Sequence, residues 1–170
     1  MNSRFLGFGH VGVSTHDMGE TIDFYARVLE CPVIADERIE INDGGEVRQV
    51  SIAVGPGQYI VFMQATGVDG ISEDYDTSIN AALQVPAGMY HYAFRVASLD
   101  DLQSEANRIA ALGIEVSELT DLGVAKSVFL QDPNGLQLEL TAKVRDFDES
   151  DIGRVTRANV APNADVTDGE

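Results

Sequence analysis

The sequence predicts an α+β protein made of two like modules, each running strand, helix, strand, strand, strand. Three observations carry that reading. Short apolar runs of period two give way to a helical period in two places, near residues 19–30 and 98–112. The order of elements in residues 7–65 is met again in residues 91–143. Each module also opens on a strand with a histidine near its start: Phe8-Gly9-His10-Val11-Gly12-Val13 in the first, Tyr90-His91-Tyr92-Ala93-Phe94 in the second.

The chain has 170 residues, 44% hydrophobic and 23% charged, which suits one soluble domain with a real core. Its formal net charge of −17 disfavours nucleic acid and anionic membrane as partners, since both repel it. The one cysteine, Cys31, has no partner for an intramolecular disulfide and lies in an apolar context that suits a buried, inert thiol. The start, Met-Asn-Ser-Arg-Phe-Leu, lacks the apolar run of a signal peptide, and no window is long and apolar enough to span a bilayer. The expected location is the cytoplasm.

In the first strand Val11 and Val13 point one way, and His10, Gly12 and Ser14 the other. A polar turn at Thr15 to Glu20 leads into a helix over 19–30, with Ile22, Tyr25, Val28 and Leu29 on one face; Pro32 ends it. Strands follow at Val33–Ile41, Val47–Val54 and Gln58–Ala65, separated by Asn42-Asp43-Gly44-Gly45 and Gly55-Pro56-Gly57. A connector over 67–88 holds a short helix near Thr77–Leu83. The second module, 89–143, brings a strand at His91–Val96 and a helix from Ser98 to about Leu112, with Leu102, Ala106, Ile109 and Ala110 inward and Gly113 after its end. Strands at Ile114–Leu119, Ala125–Gln131 and Leu136–Lys143 complete it, the last two joined by the turn Asp132-Pro133-Asn134-Gly135. The modules occupy residues 5–66 and 89–143. Residues 144–170 are an acidic extension, loose over Asp146–Arg157 and expected to be disordered from Ala158 on.

A lone histidine in a strand is ordinarily a packing residue, and a lone glutamate there ordinarily faces solvent. Three features shift that reading. His10 and His91 hold equivalent places in their modules. Glu139 lies in an apolar run and shares its face with Gln137 and Thr141. Two histidines and one carboxylate are also the donor set of a facial metal site that leaves positions open for substrate. Matching the fourth strands puts Val61 where the second module has Glu139.

These pieces, together with Ile22-Asp23-Phe24-Tyr25 and Asp132-Pro133-Asn134-Gly135-Leu136-Gln137-Leu138-Glu139-Leu140, resemble the vicinal oxygen chelate superfamily. That is the glyoxalase, bleomycin-resistance and extradiol-dioxygenase group, and the resemblance covers about residues 5–143. It implies a cup-shaped mixed sheet of paired βαβββ modules, usually in a homodimer that binds a small molecule. It also implies a divalent ion held by His10, His91 and Glu139, with Fe(II) or Mn(II) favoured over Zn(II) or Ni(II).

Glyoxalase I and methylmalonyl-CoA epimerase are similar but carry a fourth ligand where Val61 stands; Gln64, three residues on, falls on the other face. The resemblance therefore favours a dioxygenase-like enzyme acting on vicinal oxygens, ahead of a metal-dependent isomerase or lyase. A metal-free binding or resistance protein is the remaining reading. Ring-cleaving members carry a tyrosine ten residues before the ligand glutamate; here that residue is Phe129, which cannot move a proton, and no histidine follows His91. Phe129, Arg95 and Val61 are the expected pocket residues: Arg95 shares the face of His91 and could meet an anionic group. His16 is expected to cap or decorate a turn, and Tyr90 and Tyr92 to pack inward.

Overall fold

A computed structural model describes residues 4, 7–42 and 44–155. Its strands form two four-stranded sheets of matching order. The first holds β1 (His10–Ser14), β4 (Gln58–Thr66), β3 (Glu46–Gly55) and β2 (Val33–Glu40), side by side in that order. The second holds β5 (His91–Val96), β8 (Gln137–Lys143), β7 (Ala125–Gln131) and β6 (Thr120–Asp121). In each sheet the opening strand runs parallel to the last and every other pair is antiparallel. The parallel pair is possible because a helix carries the chain back across one face of the sheet. In the first sheet that helix is α1 (Met18–Asp23); in the second it is α3 (Leu99–Ala111), with the short α2 (Ile79–Ala82) in the connector between them.

Alternation along the strands decides which side is dry. Val50, Ile52, Ile60 and Phe62 of the first sheet face inward, as do Val128, Leu130, Leu138 and Leu140 of the second. These join Met18, Phe24 and Tyr25 with Leu102, Ala106 and Ile109 in one buried cluster. Full burial of a Leu, Ile or Phe contributes about 1.5–3 kcal/mol, so this shared core is what holds the two modules together. His10, Gly12, Tyr59 and Val61 are of the opposite parity, as are His91, Arg95 and Glu139. They lie on the faces turned away from the core, called the open faces below.

Polar contacts add to the join. The Tyr25 hydroxyl donates to Asp132 Oδ2 at 3.1 Å, and Asn134 Nδ2 donates to Thr21 Oγ1 at 3.2 Å. Burial pushes the Tyr25 hydroxyl well above its ordinary range, with the Asp132 charge adding to it.

Four sequence expectations are corrected. The first helix is α-helical only to Asp23 and continues as a π-type turn over Phe24–Val28. The wider turn inserts a residue, so Phe24 and Tyr25 both face the core, while Ile22, Val28 and Leu29 are half-buried. Residues 114–119 are not a strand: Ser117 N–H bonds the Phe129 carbonyl, but the Phe129 N–H is taken by the Ser117 hydroxyl instead of a backbone carbonyl. Pairing resumes only at Thr120. Ala110 faces solvent. Cys31 is half-buried rather than buried, and burial pushes its thiol up.

The extension after Val144 is structured as far as it is described. Arg145 grips Asp151 with two hydrogen bonds of 2.6 Å, and Asp148 caps a 3-10 turn at Glu149–Asp151. The disorder expected from Ala158 on, and Asp43 of the first hairpin, lie outside the described residues. Among the described residues no helix is long and apolar enough to cross a membrane.

Candidate metal centre

Parallel pairing of β5 with β8 sets His91 opposite Gln137 and Ala93 opposite Glu139. His91 and Glu139 are thus diagonal neighbours on one open face, with His91 Nε2 3.1 Å from Glu139 Oε2. The glutamate is 6% exposed and the histidine side chain 37%. The second glutamate oxygen is held by the buried Ser127 hydroxyl, which donates to Oε1 at 2.6 Å. Thr141 Oγ1 lies 2.8 Å from the same hydroxyl. A carboxylate has only lone pairs to offer, so the Ser127 proton goes to Glu139 and Thr141 donates to Ser127.

The other ring nitrogen, His91 Nδ1, is 2.8 Å from the Gly88 carbonyl. A carbonyl only accepts, so Nδ1 carries the hydrogen and Nε2 presents a lone pair. With a neutral ring, Nε2 and Oε2 are two acceptors facing each other at 3.1 Å. Such an arrangement calls for a cation between them, either a proton or a metal ion. Two donors bound to one ion at about 2.1 Å, at right angles, stand about 3.0 Å apart. The pair therefore has the spacing of adjacent ligands, and the carbonyl behind His91 is the usual partner of a ligating imidazole.

His10 is not brought into this pair. Its ring stacks on Tyr59, with centroids 5.4 Å apart and planes at 20°. It lines a cleft of about 510 Å³ that His91, Phe8, Tyr59, Tyr92 and Phe94 also line. Among the described residues no three of His, Cys, Asp or Glu stand close enough together to hold one ion. Two of the three expected ligands fit a metal within one chain, and the third stands apart.

The remaining expected residues fall as follows. Gly12, Val61 and Ser51 lie in one row, just as Ala93, Glu139 and Phe129 do, so Val61 occupies the position of Glu139 in the other sheet. Its side chain is buried and apolar and supplies no fourth donor. Gln64 does not either: it accepts from Met18 N–H and donates to the His16 carbonyl, closing the turn into α1. Phe129 lies directly across from Glu139 and lines a second cleft with Gln131 and Gln137. Arg95 is exposed and pairs in register with Thr141. None of Val61, Phe129 and Arg95 lines the cleft shared by the two histidines.

His16 lies at the connector, its Nε2 2.5 Å from the Tyr75 carbonyl and its ring against the Tyr75 ring. Tyr92 packs on the core as expected. Tyr90 does not; it is 46% exposed, and its backbone N–H and C=O are both bonded by Asn80. Ser127 was not singled out in the sequence, yet its parity with Phe129 on β7 places a hydroxyl on the open face next to Glu139.

The model of the Glyoxalase/Bleomycin resistance protein/Dioxygenase superfamily matches residues 7–140. The chain belongs to this superfamily. Known structures with the same fold include a glyoxylase/bleomycin resistance protein/dioxygenase domain from Frankia sp. EAN1pec. It is 19% identical, with a TM-score of 0.60, over 82% of this chain and 93% of that one. A lactoylglutathione lyase from Agrobacterium tumefaciens is 16% identical, with a TM-score of 0.56, over 82% and 96%. TnmS3, an antibiotic binding protein from Streptomyces sp. CB03234, is 17% identical, with a TM-score of 0.57, over 83% and 98%. No curated protein matches the sequence. A fold shared with a lyase and an antibiotic binder fixes the scaffold, and the chemistry has to be argued from the site.

Proposed function

We propose that this chain is a divalent-metal-dependent enzyme that binds a small substrate through two adjacent oxygens, with dioxygenase-like chemistry the leading reading. The observation that carries it is the pair of facing acceptors, His91 Nε2 and Glu139 Oε2, at 3.1 Å. We further propose that the protein works as a homodimer in which a second copy supplies His10. The inner faces of both sheets are spent on the chain's own core, while His10 and the His91–Glu139 pair lie on the open faces, where another chain can reach them. A divalent ion held by these three donors would act as a Lewis acid, with Fe(II) or Mn(II) favoured over Zn(II) or Ni(II).

Each residue then has a task. His91 and Glu139 supply donors. Gly88 fixes the His91 tautomer, and Ser127 fixes which glutamate oxygen is presented. Phe129 walls the site beside Glu139 and moves no proton. Val61 leaves the fourth-ligand position apolar, which favours three protein donors with positions open for substrate and, for an oxygenase, for O2.

The test is metal content of protein purified without chelator or His-tag, followed by anaerobic binding of catechols and by O2 uptake. Near-stoichiometric Fe or Mn, lost in His91→Ala and Glu139→Ala, together with O2 uptake, supports the reading. Zn or Ni with no O2 uptake moves the assignment to the isomerase or lyase class.

A second reading has its own support: the cleft beside His10 is walled by Phe8, Tyr59, Tyr92 and Phe94, and no Asp, Glu, Lys or Arg lines it. That lining suits a metal-free binder of an apolar aromatic compound. Protein that takes up no divalent ion would favour it.

A further inference from the structure

The structure points to a second subsite, for an oxyanion, on the same open face as the metal donors. Among the described residues, every lysine and arginine in a strand or helix has a carboxylate within 4.0 Å, with the exception of Arg95. In a chain with 28 acidic and 11 basic residues, a guanidinium without an acid beside it is conspicuous. Its place in the sheet explains how it escapes them. Arg95 pairs with Thr141, Thr141 with Ser127 and Ser127 with Thr120, so one row across four strands carries a cation and three hydroxyl residues and no acid. The neighbouring row on that face carries Glu139, whose oxygens are engaged by Ser127 and His91.

A guanidinium suits a carboxylate or phosphonate, because its fork of N–H donors matches two oxygens at once. The distance is set by the strand. Arg95 lies two residues beyond the Glu139 row and four beyond His91, about 7 and 13 Å along β5. We therefore propose that the substrate is a small organic anion, with its vicinal oxygens at the metal donors and its carboxylate or phosphonate, one short linker away, on Arg95. The proposal rests on the reading of the site given above and narrows it. It also eases an electrostatic problem: a chain of net charge −17 repels anions, and a local guanidinium offsets that repulsion for an anionic substrate.

The test uses two probes that differ by one group, 3-(3,4-dihydroxyphenyl)propanoate and 4-ethylcatechol. Their binding is measured calorimetrically under anaerobic conditions, on full-length protein supplemented with Mn(II) and on its Arg95→Gln variant. The expected result is about a ten-fold preference of the wild type for the carboxylated catechol, in line with a charge-assisted hydrogen bond. That preference should vanish in Arg95→Gln, with the affinity for 4-ethylcatechol unchanged, and should shrink in high salt. Equal binding of the two probes by the wild type, including no binding of either, overturns the subsite. So does a preference that survives in Arg95→Gln, or an equal loss of both probes there. Metal content measured on the same samples reports separately on the metal centre: protein that holds stoichiometric ion and shows no preference has the centre without the anion subsite.

Discussion

A hydroxyl 2.6 Å from a buried carboxylate oxygen leaves that carboxylate little freedom. Ser127 is fully buried and bonded in turn by Thr141, so Glu139 presents one particular oxygen to His91. Replacing Ser127 with Ala removes the bond without touching either donor. Orienting groups of this kind are worth about 10–100-fold in metal affinity. The expected outcome for Ser127→Ala is a loss in that range, read by competition with a chromogenic chelator, while the circular dichroism spectrum stays that of the wild type. Unchanged affinity would mean that Glu139 is positioned by the strand alone. The ligand candidates were legible in the sequence because a histidine and a glutamate break the alternation of apolar strands. Ser127 was harder to read, since a serine on the open face of a strand ordinarily meets water and gives no local sign of a buried partner.

The turn between β7 and β8 decides where Glu139 falls in its strand. Asp132 Oδ1 accepts the backbone N–H groups of Asn134 and Leu136, each at 2.9 Å, and Ser78 Oγ donates to the Gly135 carbonyl at 3.1 Å. Gly135 has φ +71°, and a Cβ there would stand 2.7 Å from Ser78 Cβ. Gly135→Ala should therefore cost about 1–3 kcal/mol, the usual range for a residue held in a disfavoured backbone region. The measurement is the urea unfolding midpoint, and a shift within error would contradict the clamp.

Asp132 itself is pushed above the ordinary aspartate value of 3.8, mainly by burial, against the pull of its hydrogen-bond donors. The folded chain then holds this proton to a higher pH than the unfolded chain does. Its share of stability is complete below 3.8 and is lost as pH rises through the folded value. Asp132→Asn should flatten that fall in an unfolding series taken upward from pH 3.8. The strand–turn–strand pattern here was readable from Asp132-Pro133-Asn134-Gly135. The π-type turn after α1 was not, because an inserted helical residue leaves the composition unchanged and shows only in which side chains turn inward. Nor was the failure of residues 114–119 to pair, which follows from a side chain outcompeting the backbone for one N–H.

At the level of the molecule, the repeat of two modules was legible because each has the same run of elements and the same histidine position. The relation between the modules was not. It depends on which faces bury together, and the shared core of both sheets, α1 and α3 is a long-range result that no local pattern encodes. That relation leaves His10 beside the cleft and outside reach of the His91–Glu139 pair within one chain. The account's central claim is that two chains complete one centre. It is tested by the metal content of a hybrid made by unfolding and refolding His10→Ala and Glu139→Ala chains together. Each variant alone should bind no ion. In the hybrid dimer one site loses both altered donors and the other keeps all three native ones, so metal should return at one ion per hybrid dimer. Hybrids that stay empty while the wild type binds one ion per chain would show that each chain supplies all three donors itself, and would contradict the claim.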